Sequence, residues 1–326
     1  MCTAVTYQTK DFYFGRTLDH MRSYGEEITL TPRNFPLPFR ETESISHHLA
    51  ILGMACVLGG YPLYYDAINE KGLAMAGLNF VGYNHYFPSG SEKTDIAQFE
   101  LIPWILGQCA SVREARGLIE NTNITGIPFR ADLPAAQLHW LIADREEAIT
   151  LETTAEGIRL WDNPVGVLTN NPPFDQQMLR LADYMQLSPA PPENRLCRQI
   201  PLSVYSYGMG AMGLPGDLSS PSRFVRAAFV KLNAFSDPSE ADSVSQFFHI
   251  LGAVEQPRGC CRISAGEYEY TLYTSCCNAT KGIYYYTTYG NRQINSVRMQ
   301  REDLNSRQLL RHPLRLQEQA YFLNQL

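Results

Sequence analysis

The sequence has no cluster of basic residues and no long apolar run. Its 27 lysine and arginine residues are outnumbered by 33 aspartate and glutamate residues, which gives a formal net charge of -6. Because binding to nucleic-acid phosphates needs clustered Lys and Arg side chains, this balance argues against a nucleic-acid partner. The sequence also lacks the roughly 18 consecutive apolar residues that a membrane-spanning helix requires.

Four common functional motifs are missing as well. The sequence contains no Gly-x-Ser-x-Gly elbow, no Walker phosphate loop, no dinucleotide-binding glycine fingerprint and no His-Glu-x-x-His zinc helix. It has no internal repeat and no low-complexity segment. The first ten residues carry no basic region followed by an apolar run, so we expect no secretory signal and a bacterial-type cytoplasmic protein.

The cysteines are read as reduced thiols rather than as a disulfide framework, because the chain is long and shows no secretory signal. Two vicinal pairs, Cys260-Cys261 and Cys276-Cys277, raise the alternative of a zinc site. Structural zinc sites space paired thiolates by two to four residues, and vicinal residues of a strand point to opposite faces. We therefore expect neither a metal nor another cofactor.

The beginning of the chain carries the strongest chemical signal. Cys2 follows Met1 directly, so removal of Met1 would leave a thiol and a free α-amine on one residue. An unperturbed thiol titrates near about 8.5 and an α-amine near about 7.7 to 8.0, so proton exchange between them is easy near neutral pH. Arg16 supplies a cation that stabilises a thiolate, and Asp19 a carboxylate that could orient the amine. The alternatives are that Cys2 is only a buried strand residue, or that the chain is a non-catalytic ligand-binding or assembly protein that retains Met1.

Hydrophobic periodicity predicts an α+β chain in which strand-rich blocks alternate with helices. The predicted strands are 3–8, 12–18, 28–32, 49–58, 61–68, 73–80, 137–144, 148–152, 158–161, 166–169, 268–276, 282–289 and 293–299. The predicted helices are 95–109, kinked or split at Pro103, one opening at the capping box Ser111 to Glu114, 174–185, 222–235 with Ser220 as cap, and 240–251. Residues 187–206 should form a long irregular excursion of functional or interface-forming character.

Five motifs occur in an order that resembles the choloylglycine hydrolase family, which contains bile salt hydrolases and penicillin V acylases. They are Cys2, the run Gly15-Arg16-Thr17-Leu18-Asp19, Gly77-Leu78-Asn79-Phe80, Leu168-Thr169-Asn170-Asn171-Pro172, and Gly213-Leu214-Pro215-Gly216-Asp217 with Ser222-Arg223-Phe224. The resemblance extends from Met1 to about Met299. It implies one N-terminal nucleophile hydrolase domain over residues 1–326, built as a four-layer αββα sandwich, with Met1 removed and four copies forming a homotetramer.

The resemblance also implies roles for individual residues. Cys2, Arg16, Asp19, Asn79, Asn170 and Arg223 would be catalytic, with Asn79 and Asn170 as donors to the oxyanion. The residues alone favour plainer roles, with each Asn as a turn residue, Arg223 as a helix-surface cation and His139 as a core histidine. Family members often carry Asn where this chain has Thr17.

The expected substrate follows from one position. Bile salt hydrolases tend to carry Asn at position 79 and penicillin V acylases Tyr, so the resemblance favours glycine- and taurine-conjugated bile salts, with penicillin V or another N-acyl amide as the alternative. Apolar side chains near the mouth of the site would hold the steroid, and the expected residues are Leu18, Tyr24, Tyr65 and Leu133. Each of the four is equally explicable as a core residue.

Overall fold

A computed structural model describes residues 1–90 and 92–324, and most of its regular structure is β. The strands are β1 (Cys2–Gln8), β2 (Phe12–His20), β3 (Glu27–Thr31), β4 (Ile51–Leu58), β5 (Tyr61–Asn69), β6 (Ala74–Asn79), β7 (Thr94–Ala97), β8 (Thr122–Thr125), β9 (Leu138–Ala143), β10 (Ala148–Thr154), β11 (Gly157–Asp162), β12 (Val167–Leu168), β13 (Cys261–Ser264), β14 (Glu267–Asn278), β15 (Ile283–Thr288), β16 (Asn291–Arg298) and β17 (Leu310–Pro313). The α-helices are α1 (Leu101–Gln108), α2 (Val112–Glu120), α3 (Phe174–Arg180), α4 (Ser220–Asn233) and α5 (Glu240–Gly252).

Two large antiparallel sheets make up the centre of the protein. In the first sheet the strand order is β12-β1-β2-β14-β15-β16, and β13 pairs with β14. In the second sheet the order is β11-β10-β9-β6-β5-β4-β3-β17. Strands β7 and β8 form a separate parallel pair. The first hairpin places Cys2 opposite Leu18, as the predicted hairpin required.

The two sheets pack face to face, and helices cover the outside of each. In β6, the side chains of Ala76 and Leu78 belong to the core between the sheets, whereas Met75 belongs to a second core under α1 and α2. Helices α4 and α5 pack on the first sheet through Phe224 and Phe247. Because both faces of the central strands are covered, strands such as β2 and β6 are buried along almost their whole length rather than at alternate residues. The predicted αββα sandwich is confirmed.

The helix predicted over residues 95–109 is wrong in its first part. Residues Thr94–Ala97 form strand β7, and α1 begins only at Leu101. Pro103 therefore lies in the first turn of α1, where a helical residue has no intrahelical partner for its N–H, and it does not interrupt the helix. The apolar side chains spaced along 96–106 are explained by burial of both elements in the same core.

Helices α2 and α4 begin close to their predicted start points. The side chain of Ser111 accepts a hydrogen bond from the backbone N–H of Glu114 at 3.3 Å, so Ser111 is the cap of α2 as predicted. For α4 the cap is Ser219 rather than Ser220, and Pro221 lies in the first turn.

Residues 187–206 contain no helix and no strand, which confirms the irregular excursion. Among the described residues, no helix combines the length and the apolar character needed to cross a bilayer.

Candidate active site

Cys2 lies at the first residue of β1, between the two sheets. Its side chain is 2% exposed, and it lines a cavity of about 600 Å³. The backbone N–H of Cys2 donates to Oδ1 of Asn170 at 2.8 Å, and its carbonyl oxygen accepts from Nη1 of Arg223 at 2.6 Å. Both backbone groups of the candidate nucleophile are thus held by other residues of the predicted site.

Met1 is attached in this structure, so the nitrogen of Cys2 is a peptide nitrogen. The Met1 amine donates to the carbonyl oxygen of Asp19 at 2.7 Å and forms an ion pair with the Glu269 carboxylate at 2.8 Å. A peptide nitrogen cannot act as a base. Removal of Met1 would convert the nitrogen beside Asn170 into an amine that can accept a proton.

Asn170 lies at the end of β12, and its neighbours fix the orientation of its side-chain amide. Oδ1 faces two groups that only donate, the N–H of Cys2 and Nη2 of Arg223, the latter at 2.8 Å. Nδ2 donates to the carbonyl oxygen of Asn79 at 2.8 Å. The second Nδ2 hydrogen has no partner among the described residues. Asn79 lines the cavity, whereas Asn170 is not among its lining residues.

Arg223 is fully buried, so the alternative of a helix-surface cation is wrong. Its Nε donates to the carbonyl oxygen of Leu218 at 2.9 Å, and its Nη1 also donates to Oγ1 of Thr3 at 2.6 Å. Among the described residues, no carboxylate lies within ion-pair distance of the guanidinium. Burial lowers the pKa of Arg223 from its ordinary value, although the negative fields of Asp19 and Cys2 oppose this.

Arg16 reaches from the first sheet into a gap in the second. The pairing of β5 with β6 ends at Asp66 opposite Ala76, and Nη1 of Arg16 donates to the carbonyl oxygens of the next residues, Tyr65 and Gly77. Nη2 is buried without a protein partner. Burial alone would lower the pKa of Arg16, but the negative fields of Cys2 and other buried groups raise it overall. Arg16 therefore stays charged beside the thiol.

Asp19 is completely buried on β2 and is held by residues that are distant in sequence. Its Oδ1 accepts from Oγ1 of Thr271 at 2.7 Å, and its Oδ2 accepts from Nε2 of Gln256 at 3.1 Å and from Oγ1 of Thr17 at 3.3 Å. Burial raises the pKa of Asp19, while Arg223 and the nearby amino terminus oppose that rise. Thr17, where the family often has Asn, therefore contributes to the site directly.

The structure brings all four expected apolar substrate residues to the wall of the cavity that contains Cys2. Leu18 comes from β2 and Tyr65 from β5, whereas Tyr24 follows β2 and Leu133 precedes β9 in the chain. Sequence reasoning missed the other apolar lining residues, among them Phe99, Ile102, Phe129 and Leu138. Phe99 and Phe129 pack edge to face with their ring centroids 5.2 Å apart. The cavity is therefore mainly apolar, and its polar lining residues include Arg16, Asp19 and Asn79.

The cysteines outside the cavity show no arrangement for a metal. Among the described residues, no group of three or more His, Cys, Asp or Glu side chains is placed to hold a metal ion. All eight cysteines are free thiols, and Cys276 and Cys277 are fully buried in β14. Burial raises the pKa of both of these thiols well above the ordinary value, so they are core residues.

Gln256, Thr271 and Thr3 were not predicted as parts of the site. None of them belongs to a local motif, since Gln256 follows α5 and Thr271 is an ordinary polar residue of β14. They reach Asp19 and Arg223 only because β14 pairs with β2 and α4 packs on β1. No signal in the local sequence could have identified them.

Comparison with known proteins gives consistent results over the whole chain. A family model described as linear amide C-N hydrolases, choloylglycine hydrolase family, matches residues 2–312. A bile salt hydrolase/transferase from Lactiplantibacillus plantarum is 54% identical over 99% of this chain and 100% of its own length. A bile salt hydrolase/transferase from Clostridium perfringens is 38% identical over 95% of each chain.

Solved structures show the same likeness. The crystal structure of the C2A mutant of conjugated bile acid hydrolase from Clostridium perfringens superposes with a TM-score of 0.92 at 36% identity, and it covers 99% of this chain and 100% of that one. A penicillin V acylase from Agrobacterium tumefaciens superposes with a TM-score of 0.75 at 19% identity over 95% of this chain and 90% of that one, which shows a shared fold.

Proposed function

The chain belongs to the choloylglycine hydrolase family of linear amide C-N hydrolases, and on that premise we propose that it hydrolyses the amide bond of glycine- and taurine-conjugated bile acids. Relatives named for action on bile salts or conjugated bile acids align along nearly the whole chain. The observation that carries the proposal is the position of Cys2. Its backbone nitrogen is hydrogen-bonded to Asn170, and the residue lines a large, mainly apolar cavity.

In the proposed reaction, Met1 has been removed and Cys2 acts as both nucleophile and base. The α-amine takes the thiol proton, and the sulfur attacks the amide carbonyl to form a tetrahedral intermediate. Asn79 and the free Nδ2 hydrogen of Asn170 stabilise the oxyanion. The protonated amine then gives its proton to the leaving nitrogen, so that the C–N bond breaks and the amino acid departs. Water attacks the resulting thioester, releases the bile acid and restores the thiol.

The remaining predicted residues support this cycle. Arg16 and Arg223 stabilise negative charge on the sulfur, because both guanidinium groups are buried near it and the low dielectric strengthens their field. Asp19 orients the amine, and Asn170 Oδ1 accepts one of the amine hydrogens. Leu18, Tyr24, Tyr65 and Leu133 hold the steroid by apolar contact. No cofactor or metal takes part in this scheme.

Three further properties belong to the proposal. The whole chain, 1–326 less Met1, forms one N-terminal nucleophile hydrolase domain. It assembles as a homotetramer, supported by the irregular excursion 187–206, which exposes a series of large apolar side chains comprising Leu196, Ile200, Leu202, Val204 and Tyr205. The protein resides in the cytoplasm, which agrees with eight unpaired cysteines.

The test is a substrate panel in which glycocholate, taurocholate and penicillin V are hydrolysed side by side by the wild type and by the variant Cys2→Ala. We expect turnover of the conjugated bile acids above that of penicillin V, and none by Cys2→Ala, whose circular dichroism should match the wild type. Faster hydrolysis of penicillin V would favour the penicillin V acylase alternative. Turnover by Cys2→Ala, or an active protein whose intact mass includes Met1, would overturn the mechanism.

The third alternative, a non-catalytic ligand-binding or assembly protein that retains Met1, predicts a different pair of results. Its intact mass would include Met1, and the wild type would hydrolyse none of the three substrates. Intact-mass measurement of the purified protein separates it from both enzymatic alternatives.

A further inference from the structure

The segment from Thr169 to Phe174, which carries Asn170, is hydrogen-bonded at both ends to a buried histidine-glutamate pair. At its start, the carbonyl oxygen of Thr169 lies 3.0 Å from Nε2 of His139. At its end, the backbone N–H of Phe174 donates to Oε1 of Glu152 at 3.0 Å. Nδ1 of His139 and Oε1 of Glu152 are 3.2 Å apart. The pair thus closes a loop around the residues between Thr169 and Phe174.

The hydrogen-bond partners determine how many protons the pair holds. The carbonyl oxygen of Thr169 can only accept, so Nε2 of His139 carries a hydrogen. Nδ1 and Oε1 of Glu152 must share a second one, because two lone pairs at that distance would repel. Glu152 already accepts from the N–H of Phe174 and, at 3.1 Å, from Nε1 of Trp161. Both carboxyl oxygens of Glu152 are therefore hydrogen-bonded, and each ring nitrogen of His139 has a partner.

The ring of His139 is enclosed on its face as well as at its nitrogens. His139 is stacked on Phe80 with the ring centroids 4.4 Å apart and the planes 6° from parallel. His139 and Glu152 are 0% and 1% exposed, so the pair has no direct contact with solvent. Removing either partner would leave the other buried and unpaired, and such losses are costly.

His139 also lies one step along the ladder from the partner of the second candidate oxyanion donor. In the ladder between β6 and β9, His139 lies opposite Leu78, and the next pair is Asn79 with Leu138. The backbone partner of Asn79 is therefore the residue next to His139, whose side chain contacts the start of the Asn170 segment.

We propose that His139, hydrogen-bonded to Glu152, is a positioning residue of the active site that holds Asn170 at the distance from Cys2 that amide hydrolysis requires. This inference rests on the proposed function, since it assigns Asn170 to the oxyanion. His139 itself touches neither the cavity nor the reacting atoms. A displacement of about 1 Å at such a site can cost about a hundredfold in rate, so loss of the pair should act on kcat.

The experiment compares His139→Gln and Glu152→Gln with the wild type on glycocholate. We expect kcat to fall by about ten- to a hundredfold while KM stays within about twofold, because the apolar cavity that binds the steroid is unchanged. The matched control is His48→Gln. His48 is also buried, with Nδ1 and Nε2 within 2.7 and 2.9 Å of the carbonyl oxygens of Leu49 and Phe35, but it lies away from the cavity. This control should lower the melting temperature and leave both kinetic constants unchanged.

A second measurement needs no variant. In the ¹⁵N spectrum of the wild type, Nε2 of His139 should show a protonated shift and one-bond coupling to hydrogen, because it faces the carbonyl oxygen of Thr169. A spectrum in which Nε2 carries no hydrogen would overturn the contact with the Asn170 segment. If the wild type hydrolyses glycocholate and both variants keep its kcat, the positioning role is overturned. A wild type without any turnover would instead contradict the proposed function.

Discussion

The side-chain oxygen of Asn170 accepts a hydrogen bond from the backbone nitrogen of Cys2 at 2.8 Å, across 168 residues of sequence. The same oxygen accepts from Arg223. Asn170 therefore has two tasks that use opposite ends of its amide, since the oxygen directs the nitrogen of Cys2 and the Nδ2 group is left to serve the oxyanion. Sequence reasoning had assigned it only the second task.

The first prediction concerns the free nitrogen of Cys2. A fusion that adds a non-cleavable peptide before Cys2 keeps its nitrogen in an amide, so the thiol loses its base and turnover of glycocholate should fall below detection. A matched fusion with a protease site that exposes Cys2 on cleavage should recover wild-type kcat. Full activity of the uncleaved fusion, verified by intact mass, would contradict the proposed base.

The second prediction concerns the oxyanion. Replacing Asn170 by Ala removes the Nδ2 donor and the acceptor for Cys2, so kcat on glycocholate should fall by about a hundred- to a thousandfold. Steady-state kinetics measure the effect. Asn233→Ala, on the exposed end of α4, is the control and should change kcat by less than about twofold. A similar small change in both variants would remove Asn170 from the mechanism.

The third prediction concerns the cavity wall. Leu133→Ala deletes apolar contact with the steroid, and since burying a Leu side chain stabilises by about 1.5 to 3 kcal/mol, KM for glycocholate should rise by roughly tenfold with little change in kcat. The control is Leu179→Ala, because Leu179 is 76% exposed and lies outside the cavity. An equal KM for both variants would place the steroid elsewhere.

The fourth prediction concerns the pH dependence of stability. Burial raises the pKa of Glu100 to about 7, although the backbone N–H groups of Ala97 and Arg40 and the charge of Arg40 oppose the rise. Between its ordinary value and pH 7 the folded state therefore holds more protons than the unfolded state, so this carboxyl makes the free energy of unfolding decrease as pH increases.

Glu100→Gln removes this titration. As pH increases from 5 to 8, the wild type should therefore lose stability relative to the variant. The difference in the free energy of unfolding should change by an amount on the order of 1 to 3 kcal/mol. Gln has one side-chain oxygen and can accept from only one of the backbone N–H groups of Arg40 and Ala97 that Glu100 binds. The loss of the other hydrogen bond lowers the stability of the variant by an amount that does not vary with pH. Urea unfolding at several pH values measures the difference. A constant difference for Glu100→Gln would contradict the raised pKa.

Much of the fold was predictable because its signals are local. The first hairpin, the capped start of α2 and the irregular segment at 187–206 all follow from periodicity and turn residues within a few positions. The segment at residues 95–109 misled because Ile96 and Ile102 are both buried, one in a short strand and the other in a helix. Burial alone does not distinguish the two, and only the pairing of β7 with β8 decides between them.

The sequence by itself determined which residue types are present and in what order, and therefore the family, the candidate nucleophile Cys2 and the identity of Asn79. Tertiary structure alone decided that Arg223 is buried against Cys2, that Thr271 and Gln256 hold Asp19, and that His139 and Glu152 bracket the Asn170 segment. The physical reason is that buried polar groups must find partners, and in a stacked sheet those partners come from strands far apart in the chain.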